Sequence, residues 1–408
     1  MKTFAKSMRL KSVDLFCGAG GITEGFRQAG FDCLYGNDID REAMETFHLN
    51  HPHTIADHRS VEEIDVQVVR QQLGLKVGEL DALVGGPPCQ GFSINAPGRF
   101  LEDPRNALFK HYIRFLEEFR PKTLMFENVP GILSIANGGI FEEIMSEIAA
   151  RGYQLSAQIL FAAHYGVPQE RWRVIILGSR EGYAPLHPMP THNAHGRANF
   201  RGGRNMTFNP LPLERSFLKP MVTVAQALDD LPRLKMGAGR EEADYDAPPH
   251  SPYANLMRAG SSVLFNHYAA RLSAQNIERM RHIPEGGSWR DIPHELLPQG
   301  MQAARRSDHT KRYGRLRSDA PSGTVMTKCD PHWGAVILPN QDRTLTVREA
   351  ARLQSFPDCY RFLGSRVAQY AQVGNAVPVF LAKAVGKALS EHLFMSNRGL
   401  KGSECLSA

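Results

Sequence analysis

Val13-Asp14-Leu15-Phe16-Cys17-Gly18-Ala19-Gly20-Gly21 is a short apolar run that breaks into glycines and leads into an amphipathic segment. A strand that turns through glycine into a helix lets bare backbone approach whatever sits beyond the strand end. The same alternation continues downstream. Apolar runs at Ser12–Phe16, Cys33–Tyr35, Leu80–Val84, Thr123–Phe126, Gln158–Phe161 and Val174–Leu177 are separated by amphipathic stretches at 22–29, 41–50, 61–73, 105–119 and 139–151. This spacing predicts an α/β fold, a mostly parallel sheet with helices on both faces. Ligands of such sheets bind beyond the C-terminal strand ends.

Composition sets the outer limits. The chain has 408 residues, 42% hydrophobic and 22% charged, enough for one large domain and a smaller one. No run approaches the roughly 18 apolar residues of a membrane span. The cations Lys2, Lys6, Arg9 and Lys11 precede no apolar core of a secretion signal. Six cysteines, at 17, 33, 89, 329, 359 and 405, form no Cys-x-x-Cys pair. That scatter fits a reducing cytoplasm and argues against a disulfide framework or a structural zinc site. The formal charge of +6 points only weakly to a polyanionic partner, but its placement says more. Three arginines fall within 197–204, and 301–317 holds Arg305, Arg306, Lys311, Arg312, Arg315 and Arg317 with Tyr313 among them. This is the texture of a phosphate-tracking surface.

From about 181 the apolar periodicity fades and Pro, His, Gly and Arg rise. Residues 181–343 read as a separate, loop-rich region with one amphipathic segment at 269–282. Regular structure resumes with a helix over Thr346–Ser355, stopped by Pro357, and a last helix from Pro378 to about Leu393. Residues 395–408 form a polar tail.

The glycine turn at Gly18–Gly21 is a weak signal alone, and Thr23 stands where a pyrophosphate-binding turn would carry its third glycine. The next strand ends at Asn37-Asp38-Ile39, where a carboxylate can accept both ribose hydroxyls and an isoleucine can lie against adenine. Asp57 ends the following segment and can accept from an adenine amino group. Any one of these is by default a solvated loop residue. Together they describe a nucleoside pocket without a diphosphate, which S-adenosylmethionine requires.

Leu80–Val84 runs into Gly85-Gly86-Pro87-Pro88-Cys89-Gln90-Gly91-Phe92-Ser93. Two prolines fix φ and remove N–H donors, so this turn can extend neither ladder nor helix. Most lone cysteines are small buried hydrophobes. Here the flanking glycines strip away packing partners and leave Cys89 stiffly held at a strand's C-terminal end. Phe126-Glu127-Asn128-Val129 closes the following strand, which sets Glu127 beside the thiol. In Gln169-Glu170-Arg171-Trp172-Arg173, alternate residues share a face if extended. A surface salt bridge is the default for such arginines, but a strand-edge position next to Glu127 favours holding an anion.

With these blocks on the page, the chain resembles the DNA (cytosine-5)-methyltransferase family of bacterial type. The resemblance covers most of 12–180 and 343–380: Asp14–Gly21, Asn37–Asp40, Asp57, Gly85–Ser93, Glu127–Val129, Gln169–Arg173, Arg348–Asp358 and Gln372–Pro378. Asp38 stands where the family often has glutamate, and Val379 where a second proline often follows Pro378. The resemblance implies a Rossmann-like S-adenosylmethionine-dependent methyltransferase domain, residues 1–180 with 344–394, and an inserted target-recognition domain, 181–343. It implies methyl transfer to C5 of a flipped-out cytosine in a specific double-stranded DNA sequence through a covalent Cys89–C6 adduct.

Glu127 is then the acid at the N3 edge, Arg171 the residue near O2, and Arg173 the one that orders the Cys89 loop. Phe16, Gly18, Gly20, Asp38, Ile39, Asp57, Pro88, Leu108, Asn375 and Ala376 line the cofactor pocket. Gln90 and Ser93 meet DNA, and the basic cluster, with Arg305, Arg312 and Arg315, meets phosphates. The product is S-adenosylhomocysteine, no metal is needed, and the expected enzyme is a cytoplasmic, nucleoid-associated monomer without membrane contact. The recognition sequence, and whether a cognate restriction endonuclease acts on the same site, stay open.

Four rivals remain. An RNA (tRNA) cytosine-5 methyltransferase shares these motifs, but its tRNA-modifying branch typically has Pro-Phe-Thr after Pro-Pro-Cys-Gln and a Cys-Phe-Thr, where this chain has Gly91-Phe92-Ser93 and no Cys-Phe-Thr. Amino-methyltransferases put an aromatic residue where Cys89 stands. A catalytically dead DNA-binding relative is disfavoured by intact Cys89, Glu127, Arg171 and Arg173, and a nicotinamide oxidoreductase by the incomplete glycine fingerprint.

Overall fold

The computed structural model describes residues 9–88, 108–196, 207–208, 211–212, 214–305, 307–308, 311–396 and 398. The sheet is built from β1 (Leu10–Leu15), β2 (Phe31–Asn37), β3 (Ile55–Asp57), β4 (Ala82–Gly85), β5 (Thr123–Asn128), β6 (Gln154–Phe161) and β7 (Trp172–Ser179). Its order is β3-β2-β1-β4-β5-β7-β6, with the two-residue β9 (Thr207–Phe208) joining beyond β6. Strands β1 to β5 are parallel, and β7 runs antiparallel between β5 and β6. The expected architecture is therefore present, in a Rossmann-like form.

Alternation along the central strands explains the layers. Leu83, Leu124, Phe126, Val174 and Ile176 point into one core with α3 (Val66–Gln72), α4 (Leu108–Phe119) and α5 (Gly139–Ala149). Their neighbours Ala82, Val84, Met125, Ile175 and Leu177 point into the opposite core with α1 (Gly21–Gln28) and α12 (Val379–Ser396). Strands buried on both faces read as continuous apolar runs, which is why these were legible. Helix α2 (Arg41–Asn50) starts where expected, with Asp40 accepting from Ala43 N.

Three elements differ from expectation. The 61–73 helix is split into a 3-10 turn at Val61–Glu63 and α3, because Asp65 accepts from Gln67 N and Val68 N and starts a new helix. Strand β3, three residues long, is too short to stand out. Helix α11 (Arg366–Asn375) was not expected, although Ser365 caps it by accepting from Ala368 N.

Between β7 and the C-terminal helices lie short elements: α6 (Val224–Leu228), α7 (Pro252–Arg258), α8 (Ala274–Arg281) and α9 (Gln299–Gln302), with paired strands β8 (His192–Asn193) and β10 (Lys219–Pro220), β11 (Gly239–Ala243) and β12 (Leu264–Tyr268), and β13 (Gly314–Arg315) and β14 (Ala335–Ile337). Helix α10 (Val347–Leu353), opened by a Thr346–Glu349 capping box, ties this stretch to the C-terminal helices. Arg352 on α10 is fully buried between two carboxylates. Its Nε and Nη2 donate to Asp358 at 2.9 and 2.6 Å, Nη2 also donates to Asp230 at 3.1 Å, and Nη1 donates to Asp230 and to Ala227 O. Tyr245 Oη completes the cluster on Asp358 at 2.7 Å.

Removing the cation would leave two buried carboxylates with only longer ion contacts, Asp230 to Arg258 at 3.4 Å and Asp358 to Arg348 at 3.8 Å. Arg352→Met is therefore expected to lower unfolding free energy by about 3–5 kcal/mol, read as a reduced urea midpoint. An unchanged midpoint would contradict the pairing.

A second buried carboxylate sits under the glycine turn. Asp14 on β1 accepts from Thr23 Oγ1 at 2.6 Å, while its Oδ1 has no hydrogen-bond partner among the described residues. Burial pushes its pKa up to about 7, against the pull of the Thr23 hydrogen bonds. A carboxyl raised in the fold stabilises it fully below its unfolded value of 3.8 and loses that contribution as pH rises through about 7. Asp14→Asn cannot ionise, so its melting temperature relative to wild type should rise between pH 5 and pH 8. A difference that stays flat over that window would contradict the buried-carboxyl account.

Candidate active site

The site lies beyond the C-terminal ends of β1, β2, β4 and β5. Strand β4 ends in Gly85, whose packing leaves no space for a side chain: a Cβ there would lie 2.6 Å from Leu15 O. At Gly86 a Cβ would lie 2.6 Å from Glu127 Oε2, so only glycine lets the β5 carboxylate reach the Pro87–Pro88 turn. Asn128 Nδ2 donates to Pro87 O at 3.0 Å and fixes the same turn from below. Pro88 is half-buried and leads directly into Cys89. Cys89, Gln90 and Ser93 lie outside the described residues.

Glu127 and Arg173 meet as a buried contact ion pair, Nε to Oε1 at 2.5 Å, off the line of an aligned hydrogen bond. Their strands are direct neighbours, with Glu127 opposite Ile175. Arg173 Nη1 also donates to Trp172 O at 2.8 Å. Arg171 is buried beside them. It donates from Nη1 to Val325 O at 3.2 Å and from Nη2 to Gly374 O at 2.8 Å, while Nε has no partner among the described residues. Burial, and then the Arg173 charge, push the Arg171 pKa well below the usual arginine value. A guanidinium does not give up its proton. The direction therefore reports chiefly how far this cation is buried, and its unpartnered Nε is what suits an electron-rich oxygen. Gln169, expected on the same face, turns away: its Nε2 donates to Leu353 O and Gln354 Oε1, fastening this segment to α10.

The glycine turn is equally determined. Gly18 and Gly20 have φ of 52° and 91°, and a Cβ at Gly20 would lie 2.6 Å from Tyr360 Oη. Tyr360 donates to Ala19 O and contacts His51 Nε2 at 3.1 Å, so α2 and the segment after α10 brace the turn from outside. A Cβ at Gly21 would meet Val377 O and Ala376 Cβ, which puts Asn375 and Ala376 at the same turn. Phe16, at φ 57°, is half-buried on the sheet core, and Leu108 packs on the same core at the start of α4.

The residues around this turn suit an adenosyl group. Asp38 accepts from Gly18 N and Asp40 N at 2.9 Å each, leaving carboxylate lone pairs for hydroxyl donors. Burial raises the Asp38 pKa against those hydrogen bonds. Ile39 beside it is 71% exposed, a bare apolar surface for a ring. Asp57 differs from expectation: Arg59 Nη2 and Tyr35 Oη donate to its Oδ2 at 2.6 and 2.7 Å, so an incoming amino group would meet a carboxylate already engaged. Burial raises its pKa, but the Arg59 and Tyr35 hydrogen bonds together hold it below the usual value.

The basic cluster does not form one surface. Arg315, expected to meet phosphates, is buried and donates to the carbonyls of Ile283, Leu338, Gln341 and Met280 and to Asp342, leaving nothing for DNA. Tyr313 is buried as well. Arg305 is exposed and Arg312 half-exposed. Among the described residues no group of His, Cys, Asp and Glu could hold a metal ion, and no helix is long and apolar enough to cross a membrane. The braces at Tyr360 and His51 were missed, since no local sequence signal links them to a turn so far away along the chain.

The sequence model of the C-5 cytosine-specific DNA methylase family matches residues 10–391. The type II methyltransferase M.AgeI of Thalassovita gelatinovora is 36% identical over 93% of this chain and 99% of its own length. M.DdeI of Desulfomicrobium norvegicum is 32% identical over 93% of this chain and 88% of its own. A putative DNA modification methyltransferase encoded within an Escherichia coli prophage superposes with a TM-score of 0.70 at 23% identity, covering 94% of this chain and 99% of that one, a likeness of fold. The chain belongs to the C-5 cytosine-specific DNA methylases.

Proposed function

We propose that this enzyme methylates C5 of a cytosine extruded from a specific site in double-stranded DNA, using Cys89 as the nucleophile. The observation that carries the reading is the buried trio of Arg171, Arg173 and Glu127, two guanidiniums and one carboxylate, at the foot of the proline turn that leads to Cys89. Cytosine C5 is too weak a nucleophile to take a methyl group unaided. Addition of the Cys89 thiolate to C6 forms an S–C6 bond and moves electron density onto C5. Glu127 at the N3 edge carries the proton that offsets charge on the ring, and the free Nε of Arg171 faces O2. Arg173 holds Glu127 in place. S-adenosylmethionine supplies the methyl group, and its sulfonium leaves as the neutral thioether of S-adenosylhomocysteine. Loss of the C5 proton to a base then expels Cys89 as the C6–S bond breaks, restoring the ring.

Asp38 binds the ribose hydroxyls, Ile39 covers the adenine, and the Gly18–Gly21 turn with Asn375 and Ala376 admits the amino-acid end. Residues 1–180 with 344–394 form the catalytic domain, and 181–343 the target-recognition domain. The base must leave the stack to reach Cys89, at a cost of a few kcal/mol. The type II relatives support a role in restriction–modification, with an endonuclease acting on the same site.

The test is transfer of a labelled methyl group from S-adenosylmethionine to duplex DNA and to tRNA in parallel. Duplex DNA should be labelled, Cys89→Ser should abolish transfer, and Glu127→Gln should lower kcat by about 100-fold or more. Labelling of tRNA alone would overturn the reading.

Gly86→Ala should act through Glu127. Its methyl group must displace the carboxylate from the turn, so kcat should fall about 10-fold or more while KM for S-adenosylmethionine stays near wild type. An unchanged kcat would show that this close approach is not used.

A further inference from the structure

The Arg171 segment carries a neighbour that the mechanism leaves unused. Residues 322–325 are stitched to 168–171. Ser322 N donates to Pro168 O and Glu170 N to Ser322 O, Thr324 Oγ1 donates to Glu170 O, and Val325 N donates to Gln169 Oε1. With Val325 buried against Arg171, its flanking residues point outward. Met326 is 45% exposed and lies against the next turn, its Cγ 3.5 Å from where a Cβ at Gly334 would sit. That turn displays Trp333, 59% exposed.

An exposed indole on a loose loop could fold away, but this one is held out. Trp333 N donates to Asp330 O at 3.0 Å, and Asp330 Oδ1 accepts from His332 N and contacts His332 Nδ1, both at 2.9 Å. His332 Nε2 meets the hydroxyl of buried Tyr313 at 2.7 Å, and Tyr313 N donates to Pro331 O at 2.6 Å. Tyr313 itself sits at φ 49°, a strained position that positions the turn. Arg312 stands 5.7 Å from the indole centroid, and Lys311 and Lys328, nearby in the chain, are exposed. Among the described residues none of the three cations is ion-paired. Lys311 also borders Gly323, next to the stitched segment.

Resting on the reading above, we propose that Trp333 and Met326 form a preorganised apolar surface that contacts the bases flanking the extruded cytosine. Lys311, Arg312 and Lys328 neutralise the phosphates beside it. Trp333 is thereby a specificity-determining residue. Duplex DNA is the occupant because Arg312 stands over the indole, exposed Lys311 and Lys328, nearby in the chain, have no ion pairs among the described residues, and the surface continues from the backbone that anchors Arg171.

The experiment compares wild type, Trp333→Ala and Trp333→Phe on one plasmid of known sequence. It reads KM for the plasmid, KM for S-adenosylmethionine, melting temperature, and the methylated sequence context by bisulfite sequencing. Trp333→Ala should raise KM for the plasmid about 10-fold and broaden the methylated context. KM for S-adenosylmethionine and melting temperature should stay at wild-type values, and Trp333→Phe should restore most of the discrimination. Arg312→Ala should lower the salt dependence of plasmid binding by about one phosphate contact. Unchanged plasmid KM and context in Trp333→Ala would overturn the proposal. So would a loss accompanied by a lower melting temperature or a shifted KM for S-adenosylmethionine, which marks a structural role. A wild-type enzyme that leaves the plasmid unmethylated would instead overturn the reading on which the proposal rests.

Discussion

A buried ion pair between Glu127 and Arg173, with a second guanidinium, Arg171, buried beside it, governs the rest of the structure. Glu127 is the penultimate residue of β5, Arg173 the second residue of the antiparallel β7 beside it, and Arg171 sits just before that strand. Placing three ionisable groups out of water is costly unless each is met by partners. Much of the surrounding architecture supplies them. Arg171 takes backbone carbonyls from Val325 and from Gly374, two segments far apart in sequence. Glu127 takes Arg173 and the space opened by Gly86. What stays unmet is one guanidinium nitrogen and an excess of positive charge, and both suit a polar base edge.

The same economy explains the return of the chain. Helix α10 carries Arg348 and Arg352, both fully buried, whose donors go to Phe265 O, Pro357 O, Tyr360 O, Ala227 O, Asp230 and Asp358. Through these contacts the stretch between β7 and α10 is bonded to the helices behind the glycine turn. Tyr360, held by Arg348 through its carbonyl, presses its hydroxyl onto Ala19. The backbone at Gly20 is therefore braced by a residue more than half the chain away, and Ala19 shares one packed core with α6, α7 and α10.

The sheet was legible because its central strands are buried on both faces and so read as unbroken apolar runs. Helix α2 was legible from its amphipathic spacing and α10 from regular structure stopped at Pro357, and the caps at Asp40 and Thr346–Glu349 fix where each begins. Strand β3 was not, since Ile55-Ala56-Asp57 is too short to show a pattern, and its membership depends on pairing with β2. Among site residues, Glu127, Arg171 and Arg173 lay together as their strand positions implied. Arg315 misled, because a basic run says nothing about which cations point outward, and this one closes a cluster of carbonyls in the interior. Trp333 could not have been picked out either, since its exposure follows from a turn braced by Tyr313 and His332.

The central claim is a covalent bond between Cys89 and C6 of cytosine. It is tested most directly by incubating the enzyme and S-adenosylmethionine with duplex DNA in which cytosine is replaced by 5-fluorocytosine. Fluorine at C5 cannot depart as a proton does, so after methyl transfer the S–C6 bond has no route to break. The account predicts a protein–DNA complex that survives denaturation, requires S-adenosylmethionine, and on digestion carries the nucleotide on the peptide containing Cys89. Turnover of unsubstituted DNA with no stable complex on the fluorinated duplex, or attachment through a different residue, would contradict it.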